Sequence, residues 1–208
     1  MITSGTTTVK TTSNDPEYSR ILQLVEAAVA SEIPLVQLRE KTLSAKVLYE
    51  LASSAVSIAR GSQTRLLIND RFDVALGSKA DGVQLTSQSI ETAKVRSICG
   101  NDFLVGVSTH SLSEAQTACD EGADFVLFGP IFDTQSKRGL GAPQGIDKLG
   151  EVASEFKDFP VIAIGGVTVE NARECLRVGA AGIAAIGLFA DPLSFPSVMA
   201  ALRDSAIS

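Results

Sequence analysis

Seven short apolar runs recur along the chain, each followed by a stretch of mixed polarity. This alternation constrains the fold more than any other feature. The runs are Ile33–Leu38, Leu66–Ile68, Gly82–Leu85, Phe103–Val107, Phe125–Phe128, Val161–Ile164 and Ile183–Ile186. Their apolar residues are consecutive rather than alternate, which describes strands buried on both faces, the condition of a parallel sheet covered by helices. Between them the spacing predicts helices over Pro16–Ser31, Ser44–Arg60, Phe72–Ser78, Glu91–Ile98, Leu112–Gly122, Ile146–Phe156, a segment capped by Thr168 and running through Val178, and Leu193–Arg203. Ser111 followed by Glu114 reads as a capping box. Gly179 reads as the stop of the helix before it.

Strands alternating with helices imply right-handed crossovers and one parallel sheet. Met1-Ile2-Thr3 is apolar for only two residues and offers a weak eighth strand. Seven or eight such units in 208 residues match a compact (β/α)8 barrel at the short end of its range. The competing architecture is a doubly wound open sheet, whose Gly-rich dinucleotide fingerprint is absent from the first strand–helix turn. No linker or low-complexity segment divides the chain. Residues 1–208 therefore read as one barrel domain, with 1–14 either poorly ordered or a remnant of the first strand.

Hydrophobic residues make up 45% and aromatics 5%, an Ala/Val/Ile/Leu interior suited to parallel strands. The net charge of −6 disfavours duplex nucleic acid as a partner and requires any anionic ligand to meet a local cluster of cations. Cys99, Cys119 and Cys175 are odd in number and widely spaced, matching reduced thiols in a cytoplasmic setting. No run reaches the ~18 apolar residues of a membrane span.

In a barrel, functional groups gather at the C-terminal ends of the strands. Those ends carry Gln37-Leu38-Arg39-Glu40-Lys41, Asn69-Asp70-Arg71, Gln84 with Thr86-Ser87-Gln88-Ser89, and Ser108-Thr109-His110, which holds the single histidine. After Phe128 comes a long loop, Gly129 to Gly139, with Thr134, Ser136, Lys137 and Arg138 among glycines. Hydroxyls, backbone amides and fixed positive charge are the chemistry of an anion site. Gly165-Gly166 and Ile186-Gly187 close the last two strands, where barrels hold phosphate on backbone N–H groups. Arg39 and Lys41, with Lys137 from a separate loop of the same face, imply a second, strongly anionic ligand group. The alternative is ordinary surface pairing, for instance of Arg39 with Glu40, although neighbours on a strand end point apart. Asp70 reads equally as a Mg2+ ligand or a helix N-cap. His110 reads as an acid/base group or a turn residue.

The segments Gln37–Lys41, Asn69–Arg71, Gly106–His110, Gly129–Lys137 and Ala163–Gly166, in that order, strongly resemble the thiamine phosphate synthase/TenI family. The resemblance spans about residues 30 to 190. It implies the barrel fold, a homodimer and one of three activities. Synthases join a hydroxymethylpyrimidine pyrophosphate to a thiazole phosphate with Mg2+, releasing pyrophosphate. TenI proteins isomerise a thiazole phosphate carboxylate, for which His110 would shuttle the proton. A non-catalytic protein would bind and sense thiazole phosphate. Carried over by position, Arg39, Lys41, Asn69 and Lys137 would hold the pyrophosphate, Lys137 and Ser108 serving catalysis. Asp70 would bind Mg2+, and Gln37 and Ser108 would face the pyrimidine. Thr134, Ser136, Gly166, Ile186 and Gly187 would bind the thiazole phosphate. The chain departs from the synthase pattern at Gln84, where the family has a histidine, and at Ser89, where it has a second metal-binding aspartate. Both departures resemble TenI. The retained Arg39, Lys41, Asn69 and Asp70 favour the synthase.

Overall fold

The computed structural model describes residues 1–134 and 142–207, with side chains through residue 204. Among these residues seven strands lie parallel in one sheet in chain order: β1 (Leu35–Leu38), β2 (Arg65–Asn69), β3 (Gly82–Leu85), β4 (Leu104–Thr109), β5 (Phe125–Phe128), β6 (Val161–Ile164) and β7 (Gly182–Ala184). Met1–Thr3 fills the gap between the two edges. The Ile2 amide donates to the Ala185 carbonyl at 3.1 Å and the Thr3 amide to the Gln37 carbonyl at 3.0 Å, while the Gln37 amide donates to the Met1 carbonyl at 2.9 Å. Ile2 pairs in parallel with Gln37. The sheet is thereby closed into a (β/α)8 barrel whose eighth stave is reduced to a few residues.

Among the described residues eight α-helices wrap it: α1 (Pro16–Ala30), α2 (Ala45–Ala59), α3 (Phe72–Ser78), α4 (Thr92–Cys99), α5 (Leu112–Asp120), α6 (Gly145–Glu155), α7 (Val169–Arg177) and α8 (Phe195–Ile207). Outward side chains of the strands pack under these helices in two clusters. Val36, Leu38, Ile68, Val83 and Val105 lie against α1–α4, and Val126, Phe128, Val161 and Ala163 lie against α5–α7. The remaining cluster is the barrel's own interior: Ile2, Leu67, Phe125, Leu127 and Ala184, with Leu35, Leu104, Ile162, Ile164 and Ile186 against them. Successive strand residues point to opposite sides. Gln37 follows Leu35 by two, Asn69 follows Leu67 by two, and Ser108 follows Leu104 by four. The side chains capping the apolar interior at its C-terminal end are therefore polar.

Helix starts show how local chemistry sets the boundaries. Thr168 and Asn171 form a full capping box on α7. Ser111 caps α5 by accepting the Glu114 amide, but the Glu114 carboxylate accepts the His110 amide at 2.6 Å, one residue before the position a capping box uses. The predicted strand at Ile183–Ile186 ends at Ala184, and Ile186 begins a 3-10 turn over Gly187–Phe189. The predicted helix Leu193–Arg203 is divided: Pro192–Ser194 forms a second 3-10 turn capped by Asp191, and α8 starts at Phe195.

Candidate active site

The four polar side chains at the top of the barrel interior pair across strands. Gln37 Nε2 donates to Asn69 Oδ1 at 3.0 Å, joining β1 to β2. Gln84 Nε2 donates to Ser108 Oγ at 3.1 Å, joining β3 to β4. Gln37 and Gln84 are both buried. These bonds decide what each group still offers a ligand. Gln37 keeps its carbonyl oxygen as an acceptor, Asn69 keeps its amide hydrogens, and Ser108, having accepted from Gln84, keeps its O–H to donate. Gln84 Oε1 makes no hydrogen bond among the described residues and lies over Gly106, where a Cβ would stand 2.3 Å from it and 2.4 Å from the Phe125 ring. A glycine at 106 is what lets this amide occupy the barrel. The sequence placed Gln84 at a strand end and marked it as a departure from a pattern; its hold on Ser108 depends on β3–β4 register.

Asp70 stands just past β2 with φ of +62°, a backbone region that a side chain other than glycine enters at a cost. Its amide donates to the Gln84 carbonyl at 2.9 Å, and the Arg71 amide donates back to the Asn69 carbonyl at 2.8 Å, closing a three-residue turn. Asp70 does not cap the helix that follows; Arg71 holds the N-cap position and makes no side-chain cap. The Arg71 guanidinium instead grips Asp73 through Nε and Nη2 at 2.8 and 2.6 Å, which raises its own pKa and lowers that of the carboxyl. The exposed Asp70 carboxylate makes no hydrogen bond among the described residues.

Ser89 is committed locally: its hydroxyl accepts the Thr86 amide at 2.8 Å and lies 3.1 Å from the Thr86 hydroxyl. Among the described residues no cluster of three or more His, Cys, Asp or Glu side chains is placed to hold a metal. Asp70 is a hard oxygen donor fit for a Mg2+ ion that also takes phosphate oxygens and water, since such an ion needs only one or two carboxylates from the protein.

Arg39 and Lys41 follow β1 directly. The alternative of an Arg39–Glu40 pair does not form among the described residues; Glu40 turns inward and is buried, while Lys41 is exposed. At the end of β4, the His110 ring binds the Gly129 carbonyl through Nδ1. A carbonyl only accepts, so Nδ1 carries the proton and Nε2 is the atom left to take or give one.

The loop after β5 starts at a cis Gly129–Pro130 bond and is stitched to β6. The Ile131 amide donates to the Ile164 carbonyl at 2.9 Å and the Phe132 amide to the Gly165 carbonyl at 3.0 Å. On the far side of the loop, the Gln144 and Gly145 amides return to the Pro130 and Ile131 carbonyls at 2.7 and 3.1 Å. The glycine pair makes this fit possible. Gly165 has φ of +97°, and a Cβ on it would stand 2.5 Å from Pro130; one on Gly166, at φ of +66°, would stand 2.5 Å from the Asp133 carbonyl. Gly187 opens onto free space at the end of β7. Thr134 is the last described residue on the near side of the loop. Ser136 and Lys137 lie outside the described residues.

A family model described as thiamine monophosphate synthase matches residues 8–189. The chain belongs to this family. Among the family's relatives, the thiamine-phosphate synthase of Chlorobium phaeobacteroides is 38% identical over 181 residues, 86% of this chain and 87% of that protein. The thiamine-phosphate synthase of Chloroflexus aurantiacus is 40% identical over 163 residues, 78% of this chain and 74% of that one. In three dimensions the chain superposes on a thiamine phosphate pyrophosphorylase from Pyrococcus furiosus with a TM-score of 0.79 at 28% identity, covering 99% of this chain and 93% of the other. A 3-hexulose-6-phosphate synthase at 19% identity, TM-score 0.65, shares the fold. The segments singled out in the sequence, from Gln37 to Gly187, fall within the residues that the thiamine monophosphate synthase family matches.

Proposed function

We propose that this barrel is a thiamine phosphate synthase: it transfers the hydroxymethylpyrimidine group from its diphosphate to the thiazole phosphate and releases diphosphate. The observation that carries this reading is the paired polar ring Gln37–Asn69 and Gln84–Ser108, on strands of which β1 runs directly into Arg39 and Lys41 and β2 into Asp70. An aminopyrimidine carries both an amino donor and ring-nitrogen acceptors. Gln37 Oε1 and the Ser108 O–H answer those two needs.

The reaction breaks the bond between the pyrimidine's exocyclic methylene and the diphosphate oxygen, the electron pair leaving with the diphosphate. The thiazole nitrogen then bonds the methylene, with no proton transferred. The developing charge on the leaving group is met by Arg39, Lys41, the Asn69 amide and Lys137. Bound Mg2+ would supply further charge stabilisation, with Asp70 as the residue to hold it. Gln37 and Ser108 hold the pyrimidine ring, while Thr134, Ser136, Gly166 and the backbone at Ile186 and Gly187 take the thiazole phosphate and aim its nitrogen in line.

The same reading takes residues 1–208 as one barrel domain of a cytoplasmic homodimer that binds small phosphorylated substrates. No helix among the described residues is long and apolar enough to cross a membrane. The deciding experiment is thiamine phosphate formation by purified protein from both substrates with Mg2+. Turnover lost in Lys41→Ala and Asp70→Asn is the expected result. No turnover by the unaltered chain, together with thiazole phosphate carboxylate isomerisation abolished by His110→Ala, sinks the proposal in favour of a tautomerase.

A further inference from the structure

We infer that Glu40 is a positioning residue, holding residues 3–7 as a strap against the segment that carries Arg39 and Lys41. The inference rests on the reading that these two cations bind diphosphate.

Residues 39–44 leave β1 without regular structure before α2 begins at Ala45. A free segment of this kind carrying two long cationic side chains would lose much conformational entropy on gripping an anion. Three rungs order it in advance. The Arg39 amide donates to Thr3 Oγ1 at 2.8 Å. The Glu40 carboxylate accepts the Gly5 amide at 3.3 Å through one oxygen and the Thr7 hydroxyl at 2.7 Å through the other. The Thr42 hydroxyl donates to the Thr7 carbonyl at 2.6 Å. Thr3, Thr7 and Glu40 are all at least 96% buried, so water competes little for these bonds.

The strap also touches a cation directly. Gly5 has φ of +70°, and a Cβ there would stand 3.0 Å from the Arg39 carbonyl and 3.3 Å from Arg39 Nη1. The guanidinium therefore lies against the Cα of the residue whose amide Glu40 holds. Glu40 forms no ion pair among the described residues, and a buried carboxylate served by two neutral donors costs stability that a neutral side chain would not. What the charge supplies is a short, strong bond to the strap beside the point where Gly5 meets the Arg39 side chain.

The test uses the full chain, with inorganic pyrophosphate binding and the KM for thiazole phosphate read in parallel. Arg39→Ala establishes the reading beneath: it weakens pyrophosphate binding if Arg39 is a ligand. Glu40→Ala and Thr7→Val are expected to raise the pyrophosphate Kd about tenfold, the ratio that one lost hydrogen bond to a charged group is worth, and to leave the thiazole phosphate KM within about twofold. Glu40→Gln, whose amide can still accept from Gly5 and donate to the Thr7 hydroxyl but carries no charge, is expected to raise the Kd by less than Glu40→Ala does. Should Glu40→Ala fail to fold, the near-isosteric Thr7→Val carries the test. An unchanged Kd in Thr7→Val overturns the inference, and so does a rise matched by an equal rise in the thiazole phosphate KM, the mark of general loosening. Unchanged pyrophosphate binding in Arg39→Ala instead overturns the reading of the cations, and the positioning role falls with it.

Discussion

Gly165 is where two loops of the site meet, and its replacement by alanine separates two physical costs. The first is conformational. At φ of +97° an L side chain is strained by about 1–2 kcal/mol. The second is steric: the new Cβ would stand 2.5 Å from both Pro130 Cα and Cβ and 3.4 Å from the Ile131 nitrogen. The nearest atoms belong to a proline whose neighbours are bonded to Ile164 and Gly165, so the loop cannot yield without losing backbone hydrogen bonds. Relieving the overlap costs a further amount of about 1–3 kcal/mol. The sum, about 2–5 kcal/mol, corresponds to a fall in Tm of about 5–20 °C for a chain of this size. Two further glycines isolate the parts. Gly61 has φ of +81° with nothing near its missing Cβ, so Gly61→Ala carries only the conformational cost. Gly82 has no positive φ, but a Cβ there would stand 2.0 Å from the Leu104 carbonyl, so Gly82→Ala carries only the steric one. Thermal unfolding of the three variants should place Gly165→Ala well below Gly61→Ala. Equal melting temperatures for those two would refute the claim that the post-β5 loop and the β6 glycines are fitted to each other.

Three other outcomes follow from the same structure. Arg96, largely buried, donates to the Gly122, Gly100 and Phe103 carbonyls and to Asp124 at 2.6–2.9 Å, so Arg96→Met should cost about 1–3 kcal/mol in urea unfolding by removing the donor to three carbonyls and leaving Asp124 with the Val105 amide alone. Burial pushes the Cys175 thiol from 9.0 up to about 11, so this group leaves stability unaffected below pH 9 and lowers it as pH rises from 9 towards 11, a trend that Cys175→Ala should lessen in melting curves. Gln84→Leu removes the donor to Ser108 and should raise the pyrimidine diphosphate KM by about tenfold with little change in thiazole phosphate KM, measured by steady-state kinetics.

The barrel was legible because a strand buried on both faces writes itself as an unbroken apolar run, and the crossover rule then leaves few topologies. The ends of elements were less so. Ile186 is as apolar as Ile183, and only tertiary context turns it out of the strand and into a 3-10 turn. The residues named at strand ends could be read because the barrel brings all of those ends to one face. Their partners could not. Gln84 on Ser108, His110 on the Gly129 carbonyl and Glu40 on Thr7 join residues 19 to 33 positions apart, and such pairs depend on strand register and loop path rather than on local pattern. The same limit explains Glu114, whose spacing from Ser111 is right for a capping box but whose carboxylate reaches one residue further back.

The bonds from Gln144 and Gly145 back to Pro130 and Ile131 make the intervening loop a cassette. Its two ends are tied to each other and to β6, so the barrel registers where the loop is attached and not how long it is. Closing a longer loop at such a neck costs only about 0.6 kcal/mol per doubling of length. The chain between Phe132 and Gln144 can thus be lengthened, shortened or exchanged while the strands beneath keep their register. A chimera carrying a relative's loop between Phe132 and Gln144 would test substrate preference on an unchanged scaffold.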